Sequence, residues 1–180
     1  MKLCDKTQPM VSRINGAYLL GKMVKYFEPD QVPLGWAQKV SIMSQDFNCE
    51  IRQEIAKYYK TMFKHLSIQI IQQTKVVERY VELLADEELE VQAEAINCLI
   101  WVFQKLPADQ ARAMILPTLT KILQTCQRQV MQSFLSQMGK ICEALVNLGL
   151  FKDIEDDLML LIQRSFIDNG NKVEDQWHYF

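Results

Sequence analysis

Residues 76–103 read VVERYVELLADEELEVQAEAINCLIWVF, and this stretch decides the fold. Val76, Val77, Tyr80, Val81 and Leu84 recur at helical spacing and line one face of a first helix, A. The polar run Ala85-Asp86-Glu87-Glu88 then interrupts the pattern. Val91, Ala95, Leu99, Phe103 and Leu106 follow at offsets of 4, 8, 12 and 15 from the first, one face of a second helix, B. A hairpin with a greasy stripe on each helix cannot shelter both stripes by itself, so it requires neighbours of the same kind.

The sequence supplies them on both sides. The B stripe superposes on Val11, Ile51, Val91 and Val130, at steps of 40, 40 and 39 residues. Four positions on stand Asn15, Ile55, Ala95 and Phe134. Eight on stand Leu19, Tyr59, Leu99 and Met138, and twelve on Met23, Phe63, Phe103 and Cys142. Fifteen on stand Tyr26, Leu66, Leu106 and Leu145; of all these residues only Asn15 is polar. A-type stripes precede two other B helices, Trp36, Val40, Met43 in one and Ile115, Leu116, Leu119, Ile122, Leu123 in the other. Phe27-Glu28-Pro29-Asp30-Gln31 and Leu106-Pro107-Ala108-Asp109-Gln110 echo each other between units, with proline ending one helix and Asp available to cap the next. Pro117, inside an A helix, is expected to bend it.

The A-to-B turns carry a second periodic signal. In Asp46-Phe47-Asn48-Cys49-Glu50-Ile51-Arg52 an Asp stands six residues before an Arg. Asp86 to Gln92 keeps the Asp and replaces the Arg, Thr125 to Met131 loses both, and Asp168 to Glu174 opens a fifth copy. This pattern resembles the HEAT repeat, in which such an Asp and Arg bridge neighbouring units. The resemblance implies an all-α fold, a right-handed α-solenoid of HEAT-type helical hairpins, with about four repeats and incomplete ends. The boundaries read as a B helix over 8–27, repeats over about 30–67, 68–106 and 109–148, and a partial repeat over 152–180, all in one segment. Gln92, Thr125, Met131 and Glu174 interrupt a continuous Asp–Arg ladder. The chain opens in a B helix without its A partner and closes near Trp177 and Phe180. Arrays of this kind normally end in polar capping units, so a fragment of a longer array is expected.

Composition agrees with helices. Gly and Pro number only six and five, too few for a turn-rich β fold, and 49% of residues are hydrophobic. The net charge of −2 argues against a nucleic-acid partner. It is unevenly spread: residues 1–80 carry +5 and residues 81–180 carry −7. Five cysteines without a CxxC pair suit reduced thiols, and no apolar run reaches the ~18 residues that span a bilayer, so a cytoplasmic location without membrane contact is expected.

The sequence advertises no catalytic residue, cofactor or metal site. GxxxxGK[ST], GxGxxG, GxSxG and HExxH are absent, and His65 and His178 stand alone. The acids Glu87, Glu88 and Glu155, Asp156, Asp157 sit at helix starts, where carboxylates favour the helix dipole. The reading is therefore a non-catalytic protein-binding scaffold. Its candidate contact residues are the turn residues Asp46, Phe47, Asn48, Asp86, Glu87, Glu88 and Arg128, with Arg52 behind them. Lys57, Lys60 and Lys64 form a ridge on one face of a B helix, either a solvated lysine face or a seat for an acidic partner. Phe47 is either an anchor for a partner or a side chain tucked between units, and Trp101 either an anchor or packing against helix A.

Several stretches resemble the scaffold and regulatory subunits of Ser/Thr protein phosphatases. They are Leu19-Leu20-Gly21-Lys22, residues 76–103, Ile115-Leu116-Pro117-Thr118-Leu119 and Met138-Gly139-Lys140-Ile141-Cys142. The resemblance implies a phosphatase catalytic subunit as partner, bound through the turns at 46–48 and 86–88. Adaptors of nuclear transport or cytoskeletal assembly are the alternative.

Overall fold

The computed structural model describes residues 2–33 and 35–177, with side chains over 3–33 and 35–167. Every regular element among them is helical. Helix α1 spans Met10–Met23. The first hairpin follows, with α2 over Trp36–Ser44 as its A arm and α3 over Cys49–Ala56 plus α4 over Tyr59–His65 as its B arm. The second comprises α5 over Ile68–Gln73, α6 over Val76–Leu84, α7 over Leu89–Ile96 and α8 over Leu99–Lys105. The third comprises α9 over Ala108–Gln110, α10 over Leu116–Thr125, α11 over Arg128–Leu135 and α12 over Met138–Asn147. Helix α13 spans Glu155–Trp177.

The helices pack in chain order. Among the B arms α3 lies between α1 and α7, α7 touches α11, and α4, α8 and α12 follow one another in the same way. Among the A arms α2 touches α6, α6 touches α10, and α10 touches α13. The expected stripes fill the space between the two rows: Ile51, Ile55, Tyr59, Phe63 and Leu66 are buried, as are Val91, Ala95, Leu99, Phe103 and Leu106. The A-arm stripes Val76, Val77, Tyr80, Leu84 and Ile115, Leu116, Leu119, Ile122, Leu123 meet them. One continuous apolar core results, assembled from hairpins that each touch mainly their neighbours.

Three features depart from the sequence-based expectation. First, the stripe in α1 is displaced by one residue. Val11, Leu19, Met23 and Tyr26 are exposed, Tyr26 to 80%, whereas Arg13, Gly16, Ala17, Leu20 and Gly21 are buried. Arg13 forms a buried ion pair with Asp46, which accompanies this rotation of α1 together with the burial of Ala17, Leu20 and Val24. The matching residues are therefore Ser12, Gly16, Leu20, Val24 and Phe27, one position beyond those chosen for periodicity, and the polar Asn15 no longer interrupts the stripe. Gly21 has a packing role here: a Cβ on it would lie 2.0 Å from Cγ of Tyr58. Gly21→Ala is expected to destabilise the protein by about 1–3 kcal/mol, the usual cost of overpacking, read as a lower urea midpoint at unchanged slope.

Second, each complete B arm breaks at the same place. Tyr58, Cys98 and Gln137 bond to the carbonyls of Ile55, Ala95 and Phe134, three residues back rather than four. Side chains from one break reach the preceding one. Cys98 Sγ lies 3.5 Å from the Ala56 carbonyl oxygen, and Gln137 Nε2 donates to Asn97 Oδ1 at 2.7 Å. Burial pushes the Cys98 thiol up to about 12, so it stays a neutral packing group. Ahead of Pro117, where a bend was expected, a π-helical turn spans Ala111–Ile115, immediately before α10. Proline has no N–H to offer the residue four back, and the hydrogen-bond register widens there.

Third, α13 runs on as one helix where an A-to-B turn was expected at Asp168-Asn169-Gly170-Asn171. The side chains of that segment, and His178 and Phe180, lie outside the described residues, as does the side chain of Trp177.

Candidate functional site

The turns between A and B arms are built on a shared plan. Asp46 Oδ1 accepts the backbone N–H of Asn48 at 2.9 Å, and Asp86 Oδ1 accepts that of Glu88 at 3.0 Å. Each carboxylate thereby closes its own turn. Each also receives an Arg from the preceding B arm. Arg13 Nη1 donates to both oxygens of Asp46, 2.6 Å to Oδ1. Arg52 donates from Nε and Nη2 to the two oxygens of Asp86, 2.7 Å each, in the fork geometry favoured by guanidinium and carboxylate. These hydrogen bonds hold the Arg52 guanidinium above its ordinary range. Arg52 Nη1 also reaches back to the Asp46 carbonyl at 3.0 Å, so one side chain joins two turns.

The third turn has no Asp, and a cation from the following helix replaces the rung. Arg164 of α13 donates to the carbonyls of Leu123, Gln124 and Cys126 at 3.0, 2.9 and 2.8 Å. Gln92, standing where Arg52 stands one unit earlier, bonds the Leu84 carbonyl at 3.1 Å. The ladder thus has two Asp–Arg rungs and a third contact of different chemistry.

This arrangement sorts the candidate residues. Asp46 is 1% exposed, and Asp86 and Arg52 are turned inward to each other, so these three hold the turns and offer little to a partner. All three therefore stand inside the turns rather than on their outer surface. The physical reason is that a carboxylate paired with a cation from another unit is drawn out of solvent. The same turns present Phe47, Glu87, Glu88 and Arg128 at the surface and Asn48 half-buried. Phe47 is 75% exposed, and the Arg13 guanidinium carbon lies 4.4 Å from its ring centroid, so it is not tucked between units. Asn48 caps α3 by accepting the Glu50 N–H at 3.0 Å. The periodic reading missed Arg13, which lies 39 residues before Arg52 and could have been found by that spacing.

A second surface lies along the B arms. Lys57, Lys60 and Lys64 are set there, joined by Lys22 and Lys25 of the first B arm, which the sequence reading did not connect with them. Lys57 pairs with Glu54 at 2.9 Å. Lys64 Nζ sits 3.7 Å from the Trp101 ring centroid. Trp101 therefore lies on the B-arm surface, half-buried between two grooves, rather than against an A arm. Tyr58 forms part of the floor beside Lys57 and Lys60; burial, and Glu54 next to it, push its phenol up to about 12.

Among the described residues no helix is long and apolar enough to cross a membrane, and no cluster of three His, Cys, Asp or Glu side chains forms a ligand set for a metal. No protein-family profile matches the chain, and no curated protein matches it. Among solved structures, the crystal structure of an engineered protein is similar, with a TM-score of 0.54 at 19% identity, covering 82% of this chain and 67% of that one. At that identity the likeness concerns the fold alone, and it agrees with the all-helical architecture described above.

Proposed function

We propose that this chain is a non-catalytic protein-binding scaffold, a right-handed α-solenoid of HEAT-type hairpins that serves as a regulatory subunit, or part of one, in a Ser/Thr protein phosphatase complex. The observation that carries the reading is the row of turns clamped to one another by Arg13–Asp46 and Arg52–Asp86 while Phe47, Glu87 and Glu88 face outward. Loops held rigid by a scaffold give up little entropy when they bind, which makes them efficient contact elements. An exposed aromatic beside polar and acidic residues has the composition of an interface anchor and its rim. The phosphatase assignment comes from the sequence segments that resemble scaffold and regulatory subunits of these enzymes, here 76–103 above all, and the order of those segments resembles that of regulatory subunit 4 of protein phosphatase 4.

The test is reconstitution with purified Ser/Thr phosphatase catalytic subunits. Binding to one of them is expected, and Phe47→Ala combined with Glu87→Lys and Glu88→Lys is expected to weaken it by about tenfold or more, without changing helicity. If none of the catalytic subunits binds the unaltered chain, the phosphatase reading falls; if the triple variant binds as tightly as the original, the turns are not the contact surface.

A further inference from the structure

We infer that the exposed face of the B arms is a docking groove for an extended acidic peptide carrying one apolar anchor residue. The inference rests on the scaffold reading above but concerns a different surface and a different ligand. Three consecutive grooves run across this face. The first, about 290 Å³ between α1 and the α3–α4 arm, gathers Lys22, Lys25, Lys57 and Lys60 around Tyr58 and Thr61. The second, about 210 Å³, lies between α4 and α8, where Lys64 covers Trp101 and Lys105 stands alongside. The third, about 550 Å³ between α8 and α12, has Ile100, Trp101, Phe103, Ala144 and Leu148 in its lining, with Lys140 and Glu143 beside them.

The chemistry changes along this path. Four lysines line the first groove, and Glu54, paired with Lys57, is the carboxylate bonded to any of them among the described contacts. Lys22 Nζ lies 5.3 and 5.9 Å from the ring centroids of Tyr18 and Tyr58, so cations and aromatic faces alternate on the wall. A row of carboxylates from a partner would form charge-assisted hydrogen bonds to these lysines. The third groove has the apolar lining and the size to take one aromatic or aliphatic side chain. Packed helices lie ~8–10 Å apart, so the outer grooves are separated by two such spacings, ~20 Å. An extended chain covers that in about six residues. The ligand is thus a segment with its acidic cluster and its apolar anchor about six residues apart. Lys105 and Lys140 continue the basic lining along this face beyond the first groove, with Glu143 the one acid among the lining residues of the three grooves.

The test uses the complete 180-residue chain and fluorescein-labelled synthetic peptides, read by anisotropy. One peptide carries four Glu and a Leu six residues away; others move the Leu to two residues away, replace it by Ser, or replace Glu by Lys. The first is expected to bind, to weaken several-fold when the Leu is moved or removed, to lose binding with Lys for Glu, and to weaken as salt rises from 50 to 200 mM. Lys57→Glu with Lys60→Glu should weaken it by about tenfold or more, and Lys22→Glu with Lys25→Glu, on the opposite wall, should do the same. Equal affinity of all the peptides, or of both lysine variants when their circular dichroism is unchanged, overturns the proposal. So does tighter binding of anionic vesicles or single-stranded nucleic acid than of the acidic peptide. Loss of peptide binding in the lysine variants with phosphatase subunit binding intact separates this face from the turns. Phosphatase binding without any peptide binding overturns this inference and leaves the scaffold reading in place.

Discussion

Asp46→Ala is expected to lower the unfolding free energy by about 3–5 kcal/mol, the typical consequence of removing one partner of a buried ion pair. Arg13 would be left 3% exposed with its charge unmatched, and its Nε already has no hydrogen-bond partner among the described residues. The same substitution removes the acceptor for the Asn48 N–H, so the turn loses its closing bond as well. Urea unfolding followed by circular dichroism gives the number. Two comparisons identify the cause. Arg13→Met with Asp46→Leu removes both charges and is expected to recover part of the loss, because no unpaired cation remains, although the turn bond is still missing. Asp86→Ala is expected to cost less than Asp46→Ala, since Arg52 is more exposed than Arg13 and keeps its bond to the Asp46 carbonyl. An Asp46→Ala protein that unfolds at the original urea concentration would show that the rungs do not hold the hairpins together.

Phe63→Ala is the second large expected effect, about 3–5 kcal/mol. Phe63 lies buried among Tyr59 and Tyr80, its ring at 81° to Tyr80 with centroids 5.5 Å apart and 6.3 Å from Tyr59. Tyr59 and Tyr80 are themselves 5.7 Å apart. This cluster joins the B arm of one hairpin to the A arm of the next, so a cavity here loosens an inter-unit contact as well as a local one. The phenol ends are satisfied: Tyr59 shares a hydrogen bond of 2.8 Å with Ser44, and Tyr80 donates to the Ala95 carbonyl at 2.8 Å. A ring removed between them leaves apolar walls that water does not fill. Phe63→Leu keeps most of the volume and should cost roughly 1.5 kcal/mol or less. Because each hairpin leans on its neighbours, Phe63→Ala is also expected to broaden the urea transition as one end of the row opens before the other. A single transition of undiminished slope and midpoint would contradict this.

How legible the candidate site was in the sequence differs from residue to residue. Phe47, Glu87 and Glu88 were picked out as turn residues and do face solvent. Asp46, Asp86 and Arg52 were picked out both as turn contacts and for the Asp–Arg bridge between units that the HEAT resemblance implies, and in the structure Asp86 meets Arg52 and Asp46 meets Arg13 across units. A turn acid has the same local sequence whether it meets water or a cation 33 or 34 residues earlier, so the distinction belongs to the packing. The lysine face was legible only in part. Lys57, Lys60 and Lys64 share a helical face by spacing, whereas Lys22, Lys25 and Lys105 join them only because separate B arms lie side by side.

The sequence by itself determined that the chain is helical and repeats about every 39–40 residues, with each A arm followed by a polar turn and a B arm. Those properties follow from residue spacing and from burying apolar side chains, and both are local enough to be read along the chain. Only the tertiary structure decided the rotation of α1, the breaks within the B arms, the uninterrupted course of α13 and the pairing of Asp46 with Arg13. A periodic stripe states that one face of a helix is buried. Which of two adjacent stripes wins depends on what the next hairpin presents, and in α1 the burial of Leu20 rather than Leu19 goes with the pairing of Arg13 to Asp46, 33 residues away.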